Sequence, residues 1–151
     1  MIRSGLPHLI IGGVVSKPIP TPDEASKPFW DACDQGRLLI QYCTKCNRWQ
    51  HPPRLACVEC EQGNFLEFRP VSGRGTIYSY NVSYATAIRL FKDKVPLNLV
   101  IVQLDEDPSI NLVTNLPGCP VGEVPIGAAV QVEFEEIAPG RRIPQFRLAS
   151  S

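Results

Sequence analysis

The sequence predicts a mainly β protein: a short helical lead-in, a four-cysteine metal module, then a small closed or partly closed β-barrel. Three observations carry this. Two Cys-x2-Cys pairs, Cys43/Cys46 and Cys57/Cys60, are separated by ten residues. Short strand-like runs broken by glycine and proline turns fill residues 65–148. Fifteen prolines and eleven glycines among 151 residues favour strands and turns over long helices.

Taken in order, residues 1–20 form an N-terminal extension. Its Leu9–Val15 run is apolar but far short of the ~20 residues that cross a bilayer, and it lacks a signal-peptide cleavage pattern. We expect an apolar arm (Leu6–Val15) that packs on the body or crosses onto a partner, no membrane association, and a cytoplasmic location. Residues 21–36 are the helical segment. Thr21-Pro22-Asp23-Glu24 has the form of a helix start, Phe29, Trp30 and Cys33 fall at helical spacing, and Gly36 is a natural stop. Pro28 sits awkwardly in that helix and is expected to divide it. Residues 37–64 form the cysteine module, opened by a strand at 37–42.

Residues 65–151 are assigned to the barrel. Strands are expected at Phe65–Val71, Thr76–Tyr84, Leu97–Asp105, Ile110–Leu116, Ala129–Ile137 and Gln145–Leu148. Alternation is cleanest in Val130-Gln131-Val132-Glu133-Phe134-Glu135. Ser72-Gly73-Arg74-Gly75 lacks the lysine and spacing of a phosphate-binding loop and reads as a tight turn or bulge at a barrel corner.

The chain carries 15 basic and 15 acidic residues, which excludes a bulk polycation. The charges are unevenly placed. Residues 37–94 hold nine bases against four acids, whereas residues 95–140 hold seven acids and no Lys or Arg. Two knuckles spaced like Cys43/Cys46 and Cys57/Cys60 bring four thiolates to the corners of a tetrahedron, the closed structural arrangement of Zn²⁺. Iron takes the same ligands, but nothing else points to electron transfer, so zinc is favoured. His51 is an additional candidate ligand that four cysteines make unnecessary. Cys33 and Cys119 read as small buried hydrophobes. With His8 and His51 as the only histidines, no nucleophile–base pair is evident and no catalytic residue is assigned. Arg89-Leu90-Phe91-Lys92-Asp93-Lys94 sets three bases around one aromatic, a loop suited to a phosphate-bearing ligand.

The order of these features resembles domain-of-unknown-function family 35. The matching residues are Phe29-Trp30, Gly36-Arg37-Leu38, the two cysteine knuckles, His51-Pro52-Pro53-Arg54 and Ser72-Gly73-Arg74-Gly75-Thr76-Ile77-Tyr78-Ser79-Tyr80. Further on come Val102-Gln103-Leu104-Asp105, Thr114-Asn115-Leu116, Gly118-Cys119, Ile126-Gly127 and Val130-Gln131-Val132-Glu133-Phe134. The resemblance spans residues 24–148, and the first 20 residues are an extension beyond the family's core pattern.

It implies a rubredoxin-like zinc ribbon followed by an OB-fold barrel. It also implies a small, non-catalytic subunit that helps form or gate the acyl-CoA site of a thiolase-like partner of thiolase, aldolase or acyltransferase type. A hot-dog-fold acyl-CoA hydratase is the alternative partner. Under this reading Arg89, Lys92 and Lys94, then Arg54 and Arg74, are the candidate CoA-phosphate contacts, and Cys43, Cys46, Cys57 and Cys60 hold structural zinc. Two rival readings differ in class. One is a nucleic-acid-binding zinc-ribbon/OB protein using Tyr42, Trp49, Tyr78, Tyr80 and Phe91, against which the acidic 95–140 stretch stands. The other is a stand-alone thioesterase using Cys119.

Overall fold

The structure, a computed structural model, describes residues 16–150. The expected arm at Leu6–Val15 lies outside the described residues. Among the described residues, one helix, α1 (Lys27–Asp34), precedes eight strands. Strands β1 (Leu39–Cys43), β2 (Arg48–Gln50) and β3 (Leu66–Pro70) form an antiparallel sheet in the order β2-β1-β3. Strands β4 (Arg74–Ser83), β5 (Leu97–Leu104), β6 (Asn111–Thr114), β7 (Ala129–Ala138) and β8 (Arg141–Leu148) form a second sheet in the order β6-β5-β4-β7-β8. A single 3-10 turn at Arg89–Phe91 lies between β4 and β5. Among the described residues, no helix is long and apolar enough to cross a membrane.

The helix begins later than its apparent start at Thr21. Asp23 and Ser26 close a turn first: the Ser26 N–H donates to Asp23 Oδ1 at 2.8 Å, and the Asp23 N–H donates to Ser26 Oγ at 3.1 Å. Ser26 is the N-cap, which places Pro28 in the first turn, where a missing N–H is harmless. Pro28 therefore opens the helix and does not divide it. Gly36 ends the segment at φ 72°, with its N–H on the Cys33 carbonyl at 2.9 Å.

Two strand assignments shift. β3, expected in the barrel, pairs with β1 from Leu39↔Pro70 to Cys43↔Leu66 and so completes the cysteine-bearing sheet. β8 starts at Arg141, because Pro139-Gly140 turns β7 directly back into it. Pro144 is tolerated there since β8 is an edge strand.

The glycine-rich corner behaves as expected. Gly73 has φ 71°, and a side chain there would strike Val132. At Gly75, where β4 pairs with both β5 and β7, a Cβ would run into the Gln103 carbonyl. This close approach lets the sheet curl.

The barrel is nearly closed. β6 and β8 do not pair through backbone, but Gln145 of β8 bridges them. Its Oε1 accepts from Thr114 Oγ1 at 2.7 Å and from the Asn115 N–H at 2.9 Å. Its Nε2 donates to Glu135 at 3.0 Å. Lys17, ahead of the helix, donates to the same carboxylate at 2.6 Å. One hydrophobic core runs through the whole unit, from Phe29 and Cys33 of α1 and Ile40 of β1 to Ile77, Val100, Val102, Val130 and Phe146 of the barrel. The small sheet is thus anchored to the barrel by shared core.

Gly75→Ala is expected to destabilise the protein by about 1–3 kcal/mol, because the added methyl has a backbone carbonyl as its neighbour and cannot displace it cheaply. Urea unfolding of the variant and the wild type measures this.

Candidate functional site

The small sheet has little apolar interior. Its buried residues include Ile40, Cys43 and Cys57, but also the amides Gln41 and Gln50. What organises it is the cysteine set. Cys43 closes β1, Cys46 lies in the turn that leads to β2, and Cys57 and Cys60 form the second knuckle in the loop before β3. The four Sγ atoms all lie within 4.8 Å of one another. Cys43 and Cys60 are 3.8 Å apart and Cys46 and Cys57 3.9 Å. A tetrahedron with Zn–S bonds of about 2.3 Å has edges of about 3.8 Å, so the donor set fits a tetrathiolate metal.

The two knuckles are built alike. The residue after each second cysteine is left-handed, Asn47 at φ 51° and Glu61 at φ 56°. Backbone N–H groups approach the sulfurs: Cys46 N–H to Cys43 Sγ at 3.5 Å, and Glu59 N–H to Cys57 Sγ at 3.4 Å. The N–H groups of Cys60 and Glu59 hold the Cys57 thiol down to about 6. Desolvation and the neighbouring sulfurs push Cys46 up to about 12. Four sulfurs this close cannot all ionise unless a cation sits among them.

Two side chains that sequence reading passed over hold the connecting loop. Gln41 and Gln50 are cross-strand partners with their amides buried. Gln41 Oε1 accepts from the Arg54 N–H at 2.9 Å, and its Nε2 donates to the Arg54 carbonyl at 2.8 Å. Gln50 Oε1 accepts from the Val58 N–H at 3.0 Å. These amides replace the missing ladder partners of residues 54–58. The only hint in the sequence is a polar residue at each inward-facing position.

The clamp presents His51-Pro52-Pro53 to a groove of about 490 Å³. Phe29 and Trp30 of α1 form one wall and Leu99, Leu112 and Ile143 of the barrel another. Ile88, just ahead of the 3-10 turn, and Phe91, its last residue, lie at its end. His51 packs on Phe29 with ring centroids 5.3 Å apart, and its Nδ1 is buried without a partner. Burial pushes its imidazole down to about 4. His51 is a packed wall of the groove, and the metal cluster among the described residues consists of the four cysteines.

The candidate phosphate contacts are not all together. Arg89 and Lys92 are exposed beside Ile88 and Phe91 at the groove's end, and Arg54 follows Pro53 on its ribbon side. Lys94 donates to the Ser16 carbonyl and lies 6.0 Å from the Phe91 ring. Arg74 stands at the other end of β4, roughly 30 Å of strand away, and pairs with Asp105 at 3.8 Å.

Cys33 is fully buried, and desolvation pushes it up to about 12. Cys119 is raised by desolvation and by Glu123, and among the described residues no histidine lines its pocket. Of the aromatic residues suited to base stacking, Tyr42 and Trp49 pack on each other with centroids 5.0 Å apart. Arg69 covers Tyr42 at 3.7 Å.

His51 sets an acid response. Its folded pKa is depressed, so between pH 6.5 and 4 the unfolded chain binds a proton there that the folded chain does not. Stability is therefore expected to fall as pH drops through that window. His51→Gln removes this part of the slope, as urea titrations at pH 7 and pH 5 would register.

Comparison with known proteins agrees with this architecture. Residues 30–65 match the family described as "ChsH2, rubredoxin-like zinc ribbon domain", and residues 68–135 match "ChsH2, C-terminal OB-fold domain". A "DUF35 domain-containing scaffold protein" of Methanothermobacter thermautotrophicus is 32% identical over 95 residues, covering 63% of this chain and 69% of the relative. Its namesake from Methanocaldococcus jannaschii is 28% identical over 100 residues, covering 66% of this chain and 69% of that protein. A "Probable enoyl-CoA hydratase alpha subunit" of Thermomonospora curvata is 35% identical over 123 residues. The match takes in 80% of this chain but spans only 37% of that relative's length. Among solved structures, one called "Ltp2-ChsH2(DUF35) aldolase" superposes with a TM-score of 0.76 at 30% identity, over 87% of this chain and 99% of that one. A Sulfolobus solfataricus DUF35 protein shares the fold, with a TM-score of 0.56 at 17% identity over 83% of this chain and 86% of the other. The chain, a rubredoxin-like zinc ribbon followed by an OB-fold barrel, belongs to the DUF35 family.

Proposed function

We propose that this chain is a non-catalytic, zinc-held accessory subunit of a thiolase-like complex that processes acyl-CoA. One observation carries the reading: the chain superposes on nearly the whole of a DUF35 chain whose structure is named as an aldolase with Ltp2. The chemistry of the chain agrees. Cys43, Cys46, Cys57 and Cys60 would hold Zn²⁺ with every coordination position filled, so the metal's contribution is to fold the ribbon. No thiol outside this set is lowered in pKa or set beside a base among the described residues. Bond making and breaking then belong to the partner.

In this complex Arg89, Lys92, Lys94 and Arg54 meet the phosphates of CoA. Arg74, engaged by Asp105 at the far end of β4, takes no part. Guanidinium and ammonium groups pair well with phosphate, and exposed ones remain responsive to salt. The relative named as a probable enoyl-CoA hydratase alpha subunit supports a second reading, in which the partner is a hydratase. Both readings share the division of labour.

The chain is expected to co-purify with its catalytic partner and to be required for acyl-CoA turnover. Replacing Arg89 and Lys92 with Glu is expected to raise KM for acyl-CoA at least tenfold with zinc content unchanged, whereas Arg74→Glu leaves KM near the wild-type value. A partner that turns over acyl-CoA at full rate alone, and never binds this chain, would end the proposal.

A further inference from the structure

We infer that the outward face of β5 and β6, with the adjoining part of β4, is the surface on which the catalytic subunit docks. The inference rests on the accessory-subunit reading above and adds where on this chain that subunit sits. An antiparallel sheet commonly packs one face and leaves the other in water, so its strands alternate apolar and polar residues. β5 breaks that rule. Asn98, Val100, Val102 and Leu104 are buried on the core side, yet the outward positions run Leu97, Leu99 and Ile101 before the first polar one, Gln103. A strand apolar on both faces reads as one covered on both faces. Its neighbours extend the patch. Val113 of β6, 73% exposed, stands opposite Ile101, and Ile101 stands opposite Ser79 of β4. Tyr78, left unpaired at the bulge before Ser79, is 59% exposed.

The same sheet is sorted by charge. Residues 76–83 of β4, 97–104 of β5 and 111–114 of β6 include no Asp, Glu, Lys or Arg. β7 and β8 carry Glu133, Glu135, Glu136, Arg141, Arg142 and Arg147, with Glu133 and Arg147 paired at 3.1 Å. Depletion of charge around an apolar centre marks the core of an interface. β6 is also an edge strand, without the lysine or proline that commonly guards an exposed edge. β5 and β6 are the second and third strands of the OB barrel, the face on which OB folds receive their ligands. Nucleic-acid binders line such a face with bases and stacking aromatics. Here it holds aliphatic side chains, one tyrosine and no charge, which fits a protein surface. The catalytic subunit is the occupant because the face runs into the mouth of the groove: Leu99 and Val113 belong to both. A second copy seated there would bring to that mouth only a chain to which no catalytic residue is assigned.

The test uses the catalytic subunit recovered from the host by a tag on the full chain, identified, purified, and titrated calorimetrically with the zinc-loaded chain. Val113→Glu is expected to weaken binding at least tenfold, with zinc content and urea midpoint unchanged. Tyr78→Glu, also at an exposed position, serves where Val113→Glu perturbs folding. Leu148→Glu, at an exposed apolar position on β8, is expected to keep the wild-type affinity. Amide hydrogen exchange in β6 is expected to slow in the wild-type complex, a measure that needs no variant. Wild-type affinity in both Val113→Glu and Tyr78→Glu, with exchange in β6 unchanged, would overturn the docking face and leave the accessory-subunit reading standing. A tagged chain that recovers no thiolase-like or hydratase subunit would overturn both. A dimer of the isolated chain that Val113→Glu dissociates, beside unchanged affinity for the catalytic subunit, would give the face to a second copy and overturn the inference. Binding of labelled oligothymidylate that Val113→Glu abolishes would give it to nucleic acid and overturn it too.

Discussion

Four sulfurs within 4.8 Å of one another are the constraint on which the ribbon depends. As thiolates they repel, and as thiols they bond only weakly. A divalent cation resolves the conflict and turns two loops into one cross-linked unit. The ribbon has few apolar residues to do this work otherwise. Its buried amides, Gln41 and Gln50, serve the backbone of the loop and add no hydrophobic burial of note. The cross-link and the clamp together fix where His51, Pro52 and Pro53 stand, and so fix one wall of the groove.

The other walls depend on how the barrel is closed. Backbone pairing stops short between β6 and β8, and Gln145, Thr114, Asn115, Glu135 and Lys17 span the gap. Desolvation raises the Glu135 carboxyl, but hydrogen bonds from Lys17 and Gln145 outweigh it and hold the group below its ordinary value. The seam is thus charged but internally balanced, which lets it lie beside apolar walls. Lys17 belongs to the proline-rich lead-in, so the segment ahead of the helix is a structural part of the barrel mouth.

Much of this was legible in the sequence, for identifiable reasons. The metal site follows from four residues at diagnostic spacing, whatever lies between them. Barrel strands such as Val130–Glu135 announce themselves by alternation. Gly73 and Gly75 were readable as a corner because only glycine fits so close to Val132 and Gln103. The partner of β3 was not readable, since alternation does not say which sheet a strand joins; pairing with β1 does. The helix start was misplaced because Thr21-Pro22 carries the same signals as Ser26-Lys27-Pro28, and the Asp23–Ser26 turn decides between them. Spacing along the chain also grouped Arg74 with Arg89 and Lys92, although a ten-residue strand holds them apart. The groove was invisible for the same reason: its walls come from segments scattered between Lys17 and Gln145.

On the proposed function this chain supplies structure and another the chemistry, and that division hinges on a metal site with no open position. X-ray absorption at the zinc edge of the purified protein tests it most directly. Four sulfur neighbours at about 2.3 Å, with no oxygen or nitrogen in the shell, is the predicted result. A light-atom ligand in place of one sulfur would mean an open, reactive metal and would contradict the account.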